Sequence, residues 1–306
     1  MSALILHHHD PSPFAEKIRL AFGIKQLPWR SVQIPMVMPR PELAPLTGGY
    51  RKVPVLQIGA DVYCDTRLIA RELERRFPGR PLFPAGSTGL ALALTSWSDR
   101  TFFEPGAALS MALNKAMIPK EVIDDRKGFF NFMDFDRLET DAPHMFTQFR
   151  ACLDLLEWML ADGRSYVLGD AVSLADINAY FPVWMARGNI GVAADLMAPF
   201  TRLLTWEARM RAIGHGTRSE LGALEALAIA RAASPLPGAG VDPADATGLR
   251  AGDRVTVTPD DYGRVPVAGE LITLVVDEVA VRRSTPETGE VVVHFPRLNY
   301  RIERSG

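Results

Sequence analysis

Residues 12–19 read Ser12-Pro13-Phe14-Ala15-Glu16-Lys17-Ile18-Arg19, shortly after an apolar run, Ala3-Leu4-Ile5-Leu6, and the turn that begins at Asp10-Pro11. The stretch passes from a strand to a helix through a hydroxyl. Ser12 is a favourable helix N-cap, and Pro13 suits the first turn, where its missing N–H has no partner to lose. Phe14, Ile18, Leu20, Ala21 and Ile24 then recur at helical spacing. Residues 29–34 alternate as a second strand. The pattern predicts a βαβ unit whose parallel strands are joined by a right-handed crossover.

Downstream, residues 35–50 are rich in proline and read as loop with at most a short helix. Residues 53–58 and 62–64 form two short strands around the turn Gly59-Ala60-Asp61. Asp65 or Thr66 starts a helix carrying Leu68, Ile69, Leu73 and Phe77, which Pro78-Gly79 ends. The order βαβ, loop, ββα predicts a thioredoxin-like α/β domain over 1–80. Residues 80–86, with Pro81 and Pro84, form a linker. An all-helical domain over 86–233 follows, with helices at 88–113, 119–130, 139–162, 173–187, 193–213 and 217–233. Ser173-Leu174-Ala175-Asp176 reads as a capping box with a short reach-back acid. Residues 234–246 have linker composition. Beyond them, strands at 254–258, 271–276, 278–283, 290–295 and 300–303 predict a small barrel-like appendage or add-on sheet over 247–306.

Composition bounds the function. A chain of 306 residues holds two domains and a small third. With 34 basic and 36 acidic residues it lacks the basic excess of a nucleic-acid binder. No apolar run approaches the ~20 residues of a membrane span, and Met1 to Asp10 has no secretory leader pattern. Cys64 and Cys152 are too far apart for a redox or zinc motif, which points to a reducing, cytoplasmic setting. His7, His8 and His9 alternate faces at a strand end, so they do not converge on one metal ion.

Three features carry chemistry only in combination. Ser12 places a hydroxyl at a helix N-terminus, where free N–H groups and a partial positive charge stabilise an anionic sulfur. Lys52-Val53-Pro54-Val55 puts a proline at a strand start; a cis bond there turns the Val53 main chain outward to pair with an extended peptide. Tyr63-Cys64-Asp65-Thr66-Arg67 puts a carboxylate and a hydroxyl at the next helix N-terminus, suited to an amino-acid head group. Taken singly, each has a plain structural reading: a cap, a trans proline, a second cap. Their order on the βαβ–ββα pattern favours the chemical one.

On Ser12 to Glu16, Val53-Pro54-Val55-Leu56, Asp65-Thr66 with Leu68-Ile69, and the linker Arg80-Pro81-Leu82-Phe83-Pro84, the sequence resembles the cytosolic glutathione transferase superfamily. The resemblance covers 1–85 best, extends through 86–230, and stops near 235. It implies a cis Val53–Pro54 bond, a Val53 main chain paired with the cysteinyl unit of glutathione, a γ-glutamyl group held by Asp65 and Thr66, and a sulfur facing Ser12, with Phe14 beside it. Arg51 and Lys52 are placed to meet the glycyl carboxylate. Trp97, Asp99 and Arg100 fall on the helix whose family counterpart lines the electrophile pocket, although Trp97 also suits core packing. Phe129, Phe130, Phe132 and Phe135 suit either an apolar pocket or a helix–helix surface. The Ser12 run is most similar to the omega-like branch, which carries cysteine at the first position. Serine forms no mixed disulfide, so thiolate activation is favoured over thiol transfer. The expected activity is conjugation or dehalogenation of a small hydrophobic electrophile, with glutathione as substrate, no metal and a homodimer. A glutathione-dependent isomerase fits the same residues. A non-catalytic binding or interaction protein that uses the β appendage for a partner is the alternative.

Overall fold

The structure is a computed structural model that describes residues 2–84 and 86–305; Met1, Gly306 and Ala85 of the expected linker lie outside the described residues. Strand β1 (Ile5–His8), helix α1 (Pro13–Lys25) and strand β2 (Pro28–Gln33) form the predicted unit, with β1 and β2 parallel. Helix α2 (Ala44–Thr47) interrupts the proline-rich loop. Strands β3 (Val55–Ile58) and β4 (Asp61–Cys64) form the antiparallel hairpin, and α3 (Thr66–Arg76) follows. β3 also pairs antiparallel with β1, which completes the thioredoxin-like order.

The helical domain begins with α4 (Thr88–Ser96), which runs through a π-helical segment (Trp97–Phe102) into α5 (Phe103–Asn114). It continues with α6 (Lys120–Lys127), α7 (Leu138–Met159) and α8 (Leu174–Asn189). Ser173 and Asp176 make the predicted capping box on α8, and Asp176 also accepts from the Trp206 indole at 2.9 Å. The helix expected over 193–213 divides into α9 (Ala193–Met197) and α10 (Thr201–Ala212). The one expected over 217–233 starts instead as a strand, β5 (Thr217–Glu220), and becomes α11 (Ala223–Arg231). All four β5 residues are exposed and polar, so no apolar period marked them. Their conformation comes from parallel pairing with the outer edge of β2. Gly216 lets the chain arrive: its φ is +71°, and a Cβ there would lie 2.4 Å from the Leu27 carbonyl oxygen.

The C-terminal strands are β6 (Gly240–Val241), β7 (Arg254–Pro259), β8 (Val267–Leu274), β9 (Glu278–Thr285), β10 (Gly289–Pro296) and β11 (Tyr300–Arg304). β7 to β11 fall where the sequence expects strands, while β6, which pairs with β8, lies in the stretch read as linker; none of them stands apart. β10 pairs in parallel with the free edge of β4, so 1–80 and 247–306 share one sheet of order β11-β7-β8-β9-β10-β4-β3-β1-β2-β5. The reason is visible in β10. Val291, Val293 and Phe295 bury one face, and Val292 and His294 bury the other. A strand buried on both faces belongs inside a sheet, not at its edge. His294 locks the joint: its ring stacks on Tyr63 at 4.5 Å and bonds Asp61 of β4 at 3.1 Å and Glu278 of β9 at 2.7 Å.

The shared sheet separates two cores. On one face, α1 and α3 pack with the helical domain around Phe22, Trp29, Phe149 and Trp206. On the other, α2 and α11 pack with the C-terminal strands around Val257, Leu271, Val281 and Phe295. Phe14, at the start of α1, meets Phe103 at 4.8 Å and Phe181 at 4.9 Å, which fixes the first turn of α1 against α5 and α8.

Candidate functional site

Ser12 caps α1: its Oγ accepts the Ala15 N–H at 3.2 Å, and its own N–H donates to the His9 carbonyl at 3.0 Å. It is buried and lines a cavity of about 550 Å³ between the thioredoxin-like and helical domains. The far wall is apolar, built by Phe103 and Met111 of α5, Val122 of α6, and Met185 of α8. The remaining lining carries His9, Arg40, Arg51, Lys52 and Arg126 and, among the described residues, no carboxylate. Arg51 and Arg126 share Asp125, at 2.8 Å and 2.9 Å. Among the described residues Arg40 has no carboxylate hydrogen-bond partner. It donates to the carbonyls of Pro35, Met36 and Arg51, and burial and the neighbouring Arg126 lower its pKa to about 10. The His9 Nδ1 is buried with no hydrogen-bond partner among the described residues, and burial and Arg40 lower its pKa to about 4. This end of the cavity therefore holds uncompensated positive charge suited to an anion.

A second cavity, of about 40 Å³, adjoins it and shares Phe14, Lys52, Val53 and Tyr262 as walls. Asp65, Thr66, Asp99 and Asp261 complete it, together with Tyr50 and Pro54. Asp65 caps α3 at φ +76°, with one oxygen accepting the Arg67 N–H at 2.9 Å. Its other oxygen accepts from the Tyr300 hydroxyl at 3.2 Å, and Tyr300 is itself 2.7 Å from the Tyr50 hydroxyl. Asp99 pairs with the buried Lys17 at 2.7 Å; burial raises the Asp99 carboxyl and lowers the Lys17 ammonium, against their mutual attraction. The Val53–Pro54 bond is cis, and the Val53 main chain has no hydrogen-bond partner among the described residues.

The fold thus gathers Ser12, Phe14, Arg51, Lys52 and Val53 on the larger cavity, and Pro54, Asp65 and Thr66 on the smaller. Arg51 is not free: it also donates to the Gly128 carbonyl at 3.0 Å and lies over the Phe129 ring. Trp97 and Arg100 line neither cavity. Trp97 packs on Phe102 at 5.2 Å, and Arg100 points outward to Asp260 at 3.4 Å. The π-helical turn sets these directions, which a regular helix over 88–113 did not anticipate. Phe129 and Phe130 line the larger cavity, while Phe132 packs against Tyr262 at 5.7 Å. Phe135 lies in a separate small hollow beside Leu138.

Asp99, expected beside the electrophile, lines the smaller cavity instead, and His9, Arg40, Asp261 and Tyr262 were missed in the sequence as site residues. The acidic-aromatic turn Asp260-Asp261-Tyr262-Gly263 carried the one available signal, since functional residues concentrate on loops. His7 bonds Gln57 at 2.8 Å and His8 bonds Ser31 at 3.1 Å. Burial lowers them to about 4 and about 3, which leaves both rings neutral near pH 7. Among the described residues no group of three or more His, Cys, Asp or Glu side chains is arranged to hold a metal ion, and no helix is long and apolar enough to cross a membrane.

A thioredoxin-like sheet with a hydroxyl-capped first helix, followed by a helical domain that closes a cavity over it, defines a class of fold. Family models described as glutathione S-transferase, N-terminal domain, and glutathione S-transferase, C-terminal domain, match residues 6–81 and 125–209. The chain belongs to the cytosolic glutathione transferase superfamily. A crystal structure of a GST-like protein from Pseudomonas syringae is 36% identical, with a TM-score of 0.81, over 98% of this chain and 100% of that one. That match spans the C-terminal strands. Glutathione S-transferase U4 of Arabidopsis thaliana is 22% identical over 207 residues, 66% of this chain and 81% of that protein. Pyrimidodiazepine synthase of Drosophila melanogaster is 34% identical over 76 residues, 24% of this chain and 31% of that protein.

Proposed function

We propose that the protein is a glutathione transferase that activates the glutathione thiol for attack on a small hydrophobic electrophile, by conjugation or dehalogenation. The observation that supports this is the convergence of three groups. The Ser12 hydroxyl and the unpaired Val53 main chain face one cavity, and Asp65 and Thr66 face the cavity next to it. In this reading the γ-glutamyl group lies at Asp65 and Thr66, and the cysteinyl unit runs along Val53. The glycyl carboxylate reaches the cations around Arg40 and Arg51, which hold an excess of positive charge for it. The sulfur then lies at the N-terminus of α1. The Phe14 N–H, which has no partner among the described residues, the positive end of the α1 dipole and the Ser12 hydroxyl stabilise the thiolate. A shift of two pKa units there is worth about 2.7 kcal/mol. The acceptor occupies the apolar wall between Phe103, Met111 and Val122. The same reading carries a homodimer in the cytoplasm, and light scattering of the purified chain reads the assembly.

Titration calorimetry with glutathione and turnover of a model electrophile test the reading. Wild-type protein binds glutathione, and Ser12→Ala lowers turnover about 10- to 100-fold, the range for a lost hydrogen bond to a charged group. Ser12→Ala also removes a cap and lowers stability by about 1 kcal/mol, so Ser12→Thr, which keeps both hydroxyl and cap, restores both properties. Turnover unchanged in Ser12→Ala removes Ser12 from the mechanism, and absence of glutathione binding overturns the reading.

A further inference from the structure

The smaller cavity has charged walls and too little room. Its roughly 40 Å³ admits a few water molecules at most, not an amino-acid head group. What fills the remaining space comes from the C-terminal segment. The turn after β7 places Asp261 in an ion pair with Lys52 and lays the Tyr262 ring beneath the Lys52 ammonium at 4.4 Å. Resting on the function proposed above, we propose that Asp261 is a ligand of the γ-glutamyl ammonium group, and that the Lys52–Asp261 pair opens to admit that zwitterion.

Three observations carry this. The first is valence. Each oxygen of Asp65 already accepts one hydrogen bond, from Arg67 and Tyr300, which leaves about two lone-pair sites for an ammonium group with three donors, so Asp65 alone does not satisfy it. Asp99 is engaged by Lys17. Asp261, whose only side-chain bond among the described residues is to Lys52, is the carboxylate that can change partner. The second is charge balance. A ligand carboxylate on Lys52 and a ligand ammonium on Asp261 exchange one ion pair for two, and no charge is left unpaired. The third is anchorage. The turn is held through its main chain: Asn131 donates to the Asp261 carbonyl at 2.8 Å, and the Gly263 N–H donates to Phe129 at 3.0 Å. The Asp261 side chain is therefore free to leave Lys52 while the turn stays in place. The C-terminal strands, on this account, complete the thiol site and set its selectivity for an α-amino acid head group.

Calorimetry on the full chain tests the proposal with two thiols, glutathione and its analogue lacking the γ-glutamyl α-amino group. Asp261→Asn keeps the size of the side chain and removes its charge. It weakens glutathione binding by about tenfold or more while leaving the des-amino analogue unaffected, and Asp261→Glu recovers part of the loss. Asp261→Asn that binds glutathione as tightly as wild type or more tightly, or that weakens both thiols equally, overturns the assignment of Asp261 alone. Wild-type protein that binds neither thiol overturns the proposed function, and this inference with it.

Discussion

The larger cavity beside Phe14 is walled by side chains from α5, α6 and α8 and is mostly apolar, whereas the smaller is walled by three carboxylates, a lysine and two tyrosines. They share Phe14, Lys52, Val53 and Tyr262, so the difference in chemistry arises within one side chain's reach. It follows from which segments meet there. The larger is a gap left between two domains. The smaller is a junction of α3's N-terminus with a turn from the other end of the chain. An apolar gap accepts many shapes, because apolar contact is non-directional. A junction of charged groups selects by charge and hydrogen-bond geometry, and rejects ligands that leave its groups unpaired.

Changes on the charged side have the largest expected effect. Asp65→Asn keeps an acceptor for the Arg67 N–H and tolerates φ +76°, so α3 remains capped. It loses the charge, and glutathione affinity drops about 10- to 100-fold in calorimetry, with the KM for the acceptor little changed. Equal losses for both substrates would erase the distinction between the cavities. On the apolar side, Val122→Phe narrows the larger cavity. The acceptor KM then rises by about tenfold, the scale of a filled hydrophobic subsite, while glutathione affinity holds.

A smaller effect tests the joint that delivers Asp261 and Tyr262 to the site. At His294, burial alone would lower the pKa, but the bonds to Asp61 and Glu278 outweigh it and hold the imidazole above its ordinary value. A folded-state pKa raised in this way contributes stability that is complete below the unfolded value of about 6.5 and is lost as pH rises through the folded value. His294→Gln should melt below wild type by about 2–4 °C at pH 6, with the gap narrowing by pH 9. A gap that widens with pH would reverse the assignment. The smallest response is expected from the thiols. Cys64 and Cys152 are buried, and burial raises Cys64 well above the usual thiol range and Cys152 to about 11. Maleimide should therefore label neither in the native protein, and labelling should not precede unfolding.

Much of the fold was legible because its signals are local. Ser12-Pro13 marked the start of α1, Gly59-Ala60-Asp61 marked the β3–β4 hairpin, and the alternation in 29–34 marked β2. β5 was not legible, because Thr217-Arg218-Ser219-Glu220 is polar on both faces and becomes a strand only by pairing with β2. The place of β10 was half legible. The run Val291-Val292-Val293 announces a strand buried on both faces, but nothing local names β4 as its neighbour.

The site divides the same way. Ser12, Val53-Pro54 and Asp65-Thr66 stand at element boundaries, where caps and prolines leave marks in the sequence. Arg40, Asp261 and Tyr262 have no such mark, since their role comes from what they face. The amino-acid sequence by itself determined the elements and the first three features, because hydrophobic period, capping and turn chemistry act over a few residues. Only the tertiary structure decided that a turn some two hundred positions beyond Asp65 shares its cavity, because β4 offered an open edge and β10 had two apolar faces to bury.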